Sequence, residues 1–239
     1  MGALRTESRR DYEPPAGGQR MSDQAQPQTP MQQLKTATAP LHAELEQAAG
    51  SDRIMAPDLS RAEFCTFMLG QYTLHQLLEP ALANALSHHL PELAYSSQRR
   101  KLPLLLQDLR DLGVDTADLG FSPALRLHLP KLDTLAAALG VAYVLEGSTL
   151  GAQMIRRRLQ NHPELAGRCR FAYYHCYGEQ LRTRWLSFGE SVNQHLQTPA
   201  EIATACQAAR DTFSLACVLF ARNRETRALS TSKRQGVRA

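Results

Sequence analysis

The chain has 239 residues, 43% of them apolar and 21% charged, enough for one buried core of about 200 residues plus tails. Its net charge of +4 sits at the end: from Arg222 onward six Lys/Arg stand against one Glu, which leaves residues 1–221 near −1 and argues against a nucleic-acid-binding face. Five cysteines, an odd number with no Cys-x-x-Cys pair, argue against a disulfide framework and a zinc site; no uninterrupted apolar run approaches 18 residues and no secretory h-region is visible, so a cytoplasmic protein without membrane insertion is expected.

In chain order, residues 1–30 are rich in Gln, Pro, Gly and Ser and poor in large aliphatics, and are expected to be a disordered extension. A first helix is predicted over Met31–Ala48, with Leu34, Leu41, Leu45 and Ala48 on one stripe and a kink or restart at Pro40. The second opens on the capping box Ser60-x-x-Glu63 and runs to Leu86. A third covers Gln98–Leu112 and stops at Gly113, followed by a loop-like stretch to Pro130. An apolar helix follows over Asp133–Leu159, then one over Phe171–His195. The last opens with Thr198-Pro199-x-Glu201 and ends near Arg222, ahead of a basic disordered tail. No period-two alternation and no repeat of 20–50 residues is present. The fold class is all-α, a single domain over residues 31–223 between tails 1–30 and 224–239.

The most informative stretch is LGVAYVLEGSTLGAQMI, Leu139–Ile155. Gly is about 1 kcal/mol worse than Ala inside a helix, so Gly140, Gly147 and Gly151 need a reason. Two readings stay open: close packing against another helix, or bare backbone presented to a flat partner. Among the eight histidines, His42 stands out because Lys35 lies seven residues before it and Glu46 four after. Cation, imidazole and carboxylate thus fall within a few turns on related faces. An ordinary satisfied histidine is the alternative. His75 and His175 read as packed side chains, and Lys101 as a surface lysine outside the motif. No Walker loop, HExxH or nucleophile triad occurs.

Three blocks carry a family resemblance. LKTATAPLHAELE, Leu34–Glu46, resembles the proximal-helix motif of the haem oxygenases. YVLEGSTLGAQ, Tyr143–Gln153, is similar to their glycine-bearing distal helix in its bacterial form. TPAEIATACQAARDTF, Thr198–Phe213, resembles the start of their last helix. The three fall in family order, so the resemblance covers Met31–Asn223.

The resemblance implies a helical bundle holding haem b between the proximal first helix and a glycine-kinked distal helix. His42 would be the iron ligand, Lys35 a propionate partner, and Glu46 an acidic neighbour that orients the imidazole. Gly147, Ser148 and Gly151 would lie over the porphyrin, Ser148 standing where animal members carry Asp. Phe213 and Phe220 would pack the haem edge. Trp185 and Gly189 occupy positions that are basic in animal members, with Arg182 and Arg184 as nearby substitutes. The implied activity is ring opening of haem, both substrate and cofactor, by O₂ and electrons from an external donor, to biliverdin, CO and ferrous iron. The implied partners are a ferredoxin-type or reductase donor and no nucleic acid, with the protein a monomer. Two other classes remain open: a haem carrier or sensor that does not degrade its ligand, and a TenA-like hydrolase on the same fold, which would need a cysteine nucleophile in the central cavity.

Overall fold

Every regular element among the described residues is helical. The computed structural model describes residues 27–117 and 123–236. The helices are α1 (Pro30–Ala49), α2 (Ser51–Ile54), α3 (Arg61–His89), α4 (Tyr95–Gln98), α5 (Leu102–Asp111), α6 (Leu135–Gly147), α7 (Ala152–Gln160), α8 (Leu181–His195) and α9 (Pro199–Gly236), with short 3-10 turns between some of them.

Local chemistry accounts for where they start. Thr29 and Gln32 form a reciprocal capping box at α1, as Ser60 and Glu63 do at α3. Thr134 accepts from the Ala137 N–H to open α6, and Thr198 pairs with Glu201 to open α9. α1 runs on through Pro40 rather than restarting. The ladder bond lost at Pro40 frees the Thr36 carbonyl, and both residues are exposed, so water can satisfy it.

Four expectations need correcting. The helix expected from Gln98 opens at Leu102, with Pro103 in its first turn, and Gln98 instead ends the short α4. The glycine-bearing helix is two helices, α6 and α7, separated by a turn at residues 148–151. The helix expected from Phe171 begins only at Leu181, because Phe171 and Gly178 take φ of 54° and 51° and the chain between them forms 3-10 turns. The last helix does not end near Arg222 but continues to Gly236, through most of the segment read as a disordered tail. No Pro or Gly interrupts it before Gly236. At the other end, Thr29 and Pro30 already belong to the start of α1; the remaining expectation of disorder, for residues 1–26, lies outside the described residues.

α6 is the centre of the fold. It is apolar nearly all round, and of its 13 residues only Leu135, Tyr143 and Gly147 are not buried. It packs on α9 and α3, and α9 packs in turn on α1. The apolar stretch Leu135–Gln160 is long enough to cross a membrane, but 67% of its most apolar 18-residue window is buried inside the protein, as for a core helix. A second apolar cluster joins α3 to α5, α7 and the turn around Tyr173.

Two glycines set close approaches. A Cβ on Gly140 would lie 2.1 Å from the Ala205 carbonyl oxygen of α9, and one on Gly70 would lie 2.5 Å from the Phe220 ring. Backbone cannot yield as a side-chain tip can. Gly140→Ala is therefore expected to cost about 3 kcal/mol or more, read as a lower urea midpoint at constant slope. An unchanged midpoint would show that α6 and α9 have slack at this contact.

Candidate functional site

A cavity of about 470 Å³ opens between α1 and the junction of α6 with α7. From α1 it takes Lys35, Thr38, Ala39, His42 and Leu45; from α3, Gln71 and Leu74. α6 and the turn after it supply Tyr143, Val144, Leu145, Gly147, Ser148 and Leu150. Trp185 of α8 and Phe213 and Phe220 of α9 complete the wall. The lining is largely apolar, with a few convergent polar groups, which is the usual make-up of a small-molecule site.

His42 is the only described histidine in this lining. Its ring stands edge-on to Phe213 with centroids 5.8 Å apart. Its Nδ1 lies 3.6 Å from Glu46 Oε1, too long for a hydrogen bond but close enough to mark which nitrogen faces the carboxylate. That leaves Nε2 as the nitrogen available to a ligand. His75, by contrast, is fully buried with Nδ1 bonded to Glu79 at 2.7 Å, and His175 is exposed outside the cavity.

The glycines divide by role. Gly140 serves helix packing, as described above. Gly147 lines the cavity, and a Cβ there would meet the Trp185 ring at 3.7 Å. Gly151 is exposed, does not line the cavity and faces Ile155 instead. The packing reading thus holds at Gly140, while Gly147 leaves bare backbone on the cavity wall.

Ser148 belongs to a polar chain whose two ends, Ser148 and Gln71, both line the cavity. Its Oγ lies 2.8 Å from the Leu145 carbonyl and 3.1 Å from the Tyr173 phenol, which donates to Gln71 Oε1 at 3.2 Å. Burial pushes the Tyr173 phenol well up, so it stays a neutral donor. Asp108 fixes its backbone by accepting from the Ala172 and Tyr173 N–H groups at 2.7 and 2.9 Å. Asp108, Asp111 and Cys169 are the one group of potential metal ligands among the described residues. Their atoms are already engaged: Arg170 pairs with Asp111, and burial pushes the Cys169 thiol up to about 12.

The remaining expected residues fall as follows. Lys35 lines the cavity and has no ion-pair partner among the described residues. Glu46 opens onto a neighbouring polar cleft of about 1010 Å³, which shares only Phe220 with the cavity. Arg182 is exposed on α8, and Arg184 donates to Gln98 and Gln180; neither lines the cavity. Lys101 is not a surface residue but fully buried and paired with Glu146. Sequence reasoning missed Gln71, Tyr143, Tyr173 and the contact of Trp185 with Gly147. Gln71 lies one turn before His75 on α3, a spacing that alone signals nothing, and Tyr173 sits in an irregular turn.

A family model described as heme oxygenase matches residues 28–222. The chain belongs to the haem oxygenase family. It is 31% identical over 116 residues to a heme oxygenase of Xanthomonas campestris pv. campestris, a match spanning 48% of this chain and 64% of that relative's length. Its fold is similar to a heme oxygenase of Neisseria meningitidis solved with NO and CO bound (TM-score 0.62, 23% identity, 82% of this chain and 92% of that one). It is also similar to heme oxygenase-1 of the cyanobacterium Synechocystis in complex with heme (TM-score 0.64, 14% identity, 88% and 100%).

The two glycines of the distal segment separate in a test. Gly147→Leu places four carbons in the cavity against Trp185 and is expected to weaken haemin binding by about tenfold or more, roughly 1.4 kcal/mol. Gly151→Leu should stay within about twofold of wild type in the same titration. Equal losses would mean that the whole turn lies over the ligand.

Proposed function

We propose that this chain binds haem b in the cavity between α1 and α6 and opens its ring with O₂ to give biliverdin, CO and ferrous iron. The observation that carries this reading is the placement of His42 and of the bare Gly147–Ser148 backbone on one apolar cavity, with Lys35 on the same lining. Bound haem supplies a redox-active iron and is itself the substrate, with electrons coming from an external donor of the ferredoxin or reductase type.

The residues present fit such a group. His42 offers Nε2 to iron while Glu46 stands on the Nδ1 side and biases the imidazole's orientation. Lys35 meets a propionate. Gly147 lets backbone approach the flat face, with Trp185 and Phe213 as apolar walls. Ser148, Tyr173 and Gln71 hold a short hydrogen-bonded chain beside that face, a ready path for a proton at the Ser148 hydroxyl. Phe220 stands at the boundary with the neighbouring cleft. Residues 31–223 form the working domain of a cytoplasmic monomer in this reading.

The other classes find less support. A hydrolase using a cysteine nucleophile would need a thiol in this cavity, and none of the five cysteines lines it. Burial also pushes Cys176 and Cys217 up to about 11. A carrier would have no use for the Ser148–Tyr173–Gln71 chain. Haemin added to the protein, followed by a reductant in air, tests the reading: the Soret band should form and then give way to biliverdin absorption. A stable Soret would favour the carrier, and no Soret would overturn haem binding.

His42→Ala should leave the fold intact, because this exposed side chain contributes no more than about 1 kcal/mol. Turnover should collapse, and added imidazole should restore part of it. Full activity without imidazole would remove His42 as the ligand.

Lys35→Glu is expected to weaken haemin binding by about tenfold and to yield more than one biliverdin isomer, since a charge-assisted contact becomes repulsion. The reversal at exposed Lys131, outside the cavity, is the control and should change affinity by less than about twofold. Equal affinities in the two variants would make Lys35 an ordinary surface lysine.

A further inference from the structure

One buried carboxylate next to the cavity takes no part in the roles assigned so far. Glu146 is the last residue before Gly147, and its side chain is 1% exposed. It does not line the cavity, although Leu145, Gly147 and Ser148 on either side of it do. It accepts from Arg99 Nη1 at 2.8 Å, from Lys101 Nζ, and from the Tyr177 phenol at 2.9 and 3.0 Å. Its own carbonyl accepts the Thr149 hydroxyl at 2.7 Å and the Thr149 N–H at 3.2 Å, so the bonding that ends α6 is centred on this residue.

Arg99 carries the contact further. Its Nη1 also donates to the Arg184 carbonyl at 3.3 Å and its Nη2 to Ser187 Oγ at 3.1 Å, both on α8. Trp185, between those two residues, faces Gly147 across the cavity wall. The carboxylate–guanidinium pair thus spans the end of α6 and the first turns of α8, the two elements whose separation sets the cavity width there. Buried ion pairs are weak sources of net stability, because desolvation offsets their attraction; a fixed geometry is what such a pair supplies best.

Resting on the haem-binding reading, we propose that Glu146, acting through Arg99, is a positioning residue that holds Gly147 and Trp185 at the separation a flat ligand requires. Glu79 is the natural reference. It is equally buried, bonded to His75 and to the Lys101 and Leu102 N–H groups, and ties α3 to α5 without reaching α8.

The test uses the haem-free full chain, so it stands whether or not haem proves to be the ligand. Trp185 is the only tryptophan, and its fluorescence reports this wall directly. Glu146→Gln should raise acrylamide quenching of Trp185 by about twofold or more and speed amide exchange over residues 147–152 by about tenfold, with helix content unchanged. Glu79→Gln should leave both readouts at wild type while lowering the unfolding midpoint. Equal effects of the two variants, or no effect of Glu146→Gln, would overturn the proposal and leave Glu146 a structural ion pair. If Glu146→Gln fails to fold, Tyr177→Phe removes one bond to the carboxylate without stranding a charge. It should speed exchange at 147–152 about threefold, and unchanged exchange there would overturn the proposal equally.

Discussion

The contact of Gly140 with the Ala205 carbonyl is the constraint on which the site depends. α9 packs on both α1 and α6, so the depth to which α6 seats against α9 fixes its distance from α1. Seven residues separate Gly140 from Gly147, a rise of about 10 Å along the helix. A displacement at the first glycine is therefore carried along a stiff rod to the second. Phe213 and Phe220, seven apart on α9, hold the cavity's far wall, and Phe220 fits only because Gly70 of α3 offers no Cβ to its ring. Three missing side-chain carbons, at Gly70, Gly140 and Gly147, thus define much of the cavity's shape.

Polar groups are distributed unevenly about α6. Behind it, Glu79, Glu146, Arg99 and Lys101 are almost wholly buried and linked by short bonds. Burial alone would lift the Glu79 carboxyl, yet the His75 bond and the Lys101 and Leu102 N–H groups outweigh it and hold it below the ordinary range. On the cavity side the lining carries one imidazole and one ammonium, and its other polar side chains, among them Thr38, Gln71, Tyr143 and Ser148, are uncharged. His42 and Lys35 are themselves exposed, so contacts made to them stay open to water.

The elements legible in the sequence were those with local chemistry. Ser60 and Thr198 mark helix starts, and the stripe of Leu34, Leu41 and Leu45 marks the face of α1 turned inward, whereas the caps at Thr29 and Thr134 emerged only with the structure. Of the site residues that the resemblance offered, His42, Lys35, Gly147, Ser148, Phe213 and Phe220 meet on one cavity, while Glu46, Gly151, Arg182 and Arg184 do not line it. What could not be read was set by tertiary contact. The turn at residues 148–151 follows from bonds around Glu146 and Thr149, and the late start of α8 from positive φ at Phe171 and Gly178. Lys101 resembles a surface lysine in sequence because its partner Glu146 lies 45 residues away. The same distance problem hid Tyr173, which Asp108 positions from 65 residues upstream.

The charge around the cavity bears on how a haem would be seated. The arginines that sequence comparison offered for this purpose are elsewhere: Arg184 bonds Gln98 and Gln180, and Arg182 stays at the surface. Lys35 is left as the one ammonium on the lining. Two carboxylates on one edge of a flat ligand would then share a single exposed cation, a contact that water and salt weaken. Shape must supply the rest of the orientation. Trp185 sits 5.8 Å from Tyr143 and 5.9 Å from Phe188 between ring centroids, a rigid aromatic wall beside Gly147. Seating governed by such a wall depends on how firmly α8 is held against α6, and the Arg99–Glu146 pair is the bond that joins them. On the haem-binding reading, the in-plane choice would pass from charges at the rim to the Arg99–Glu146 pair hidden behind α6.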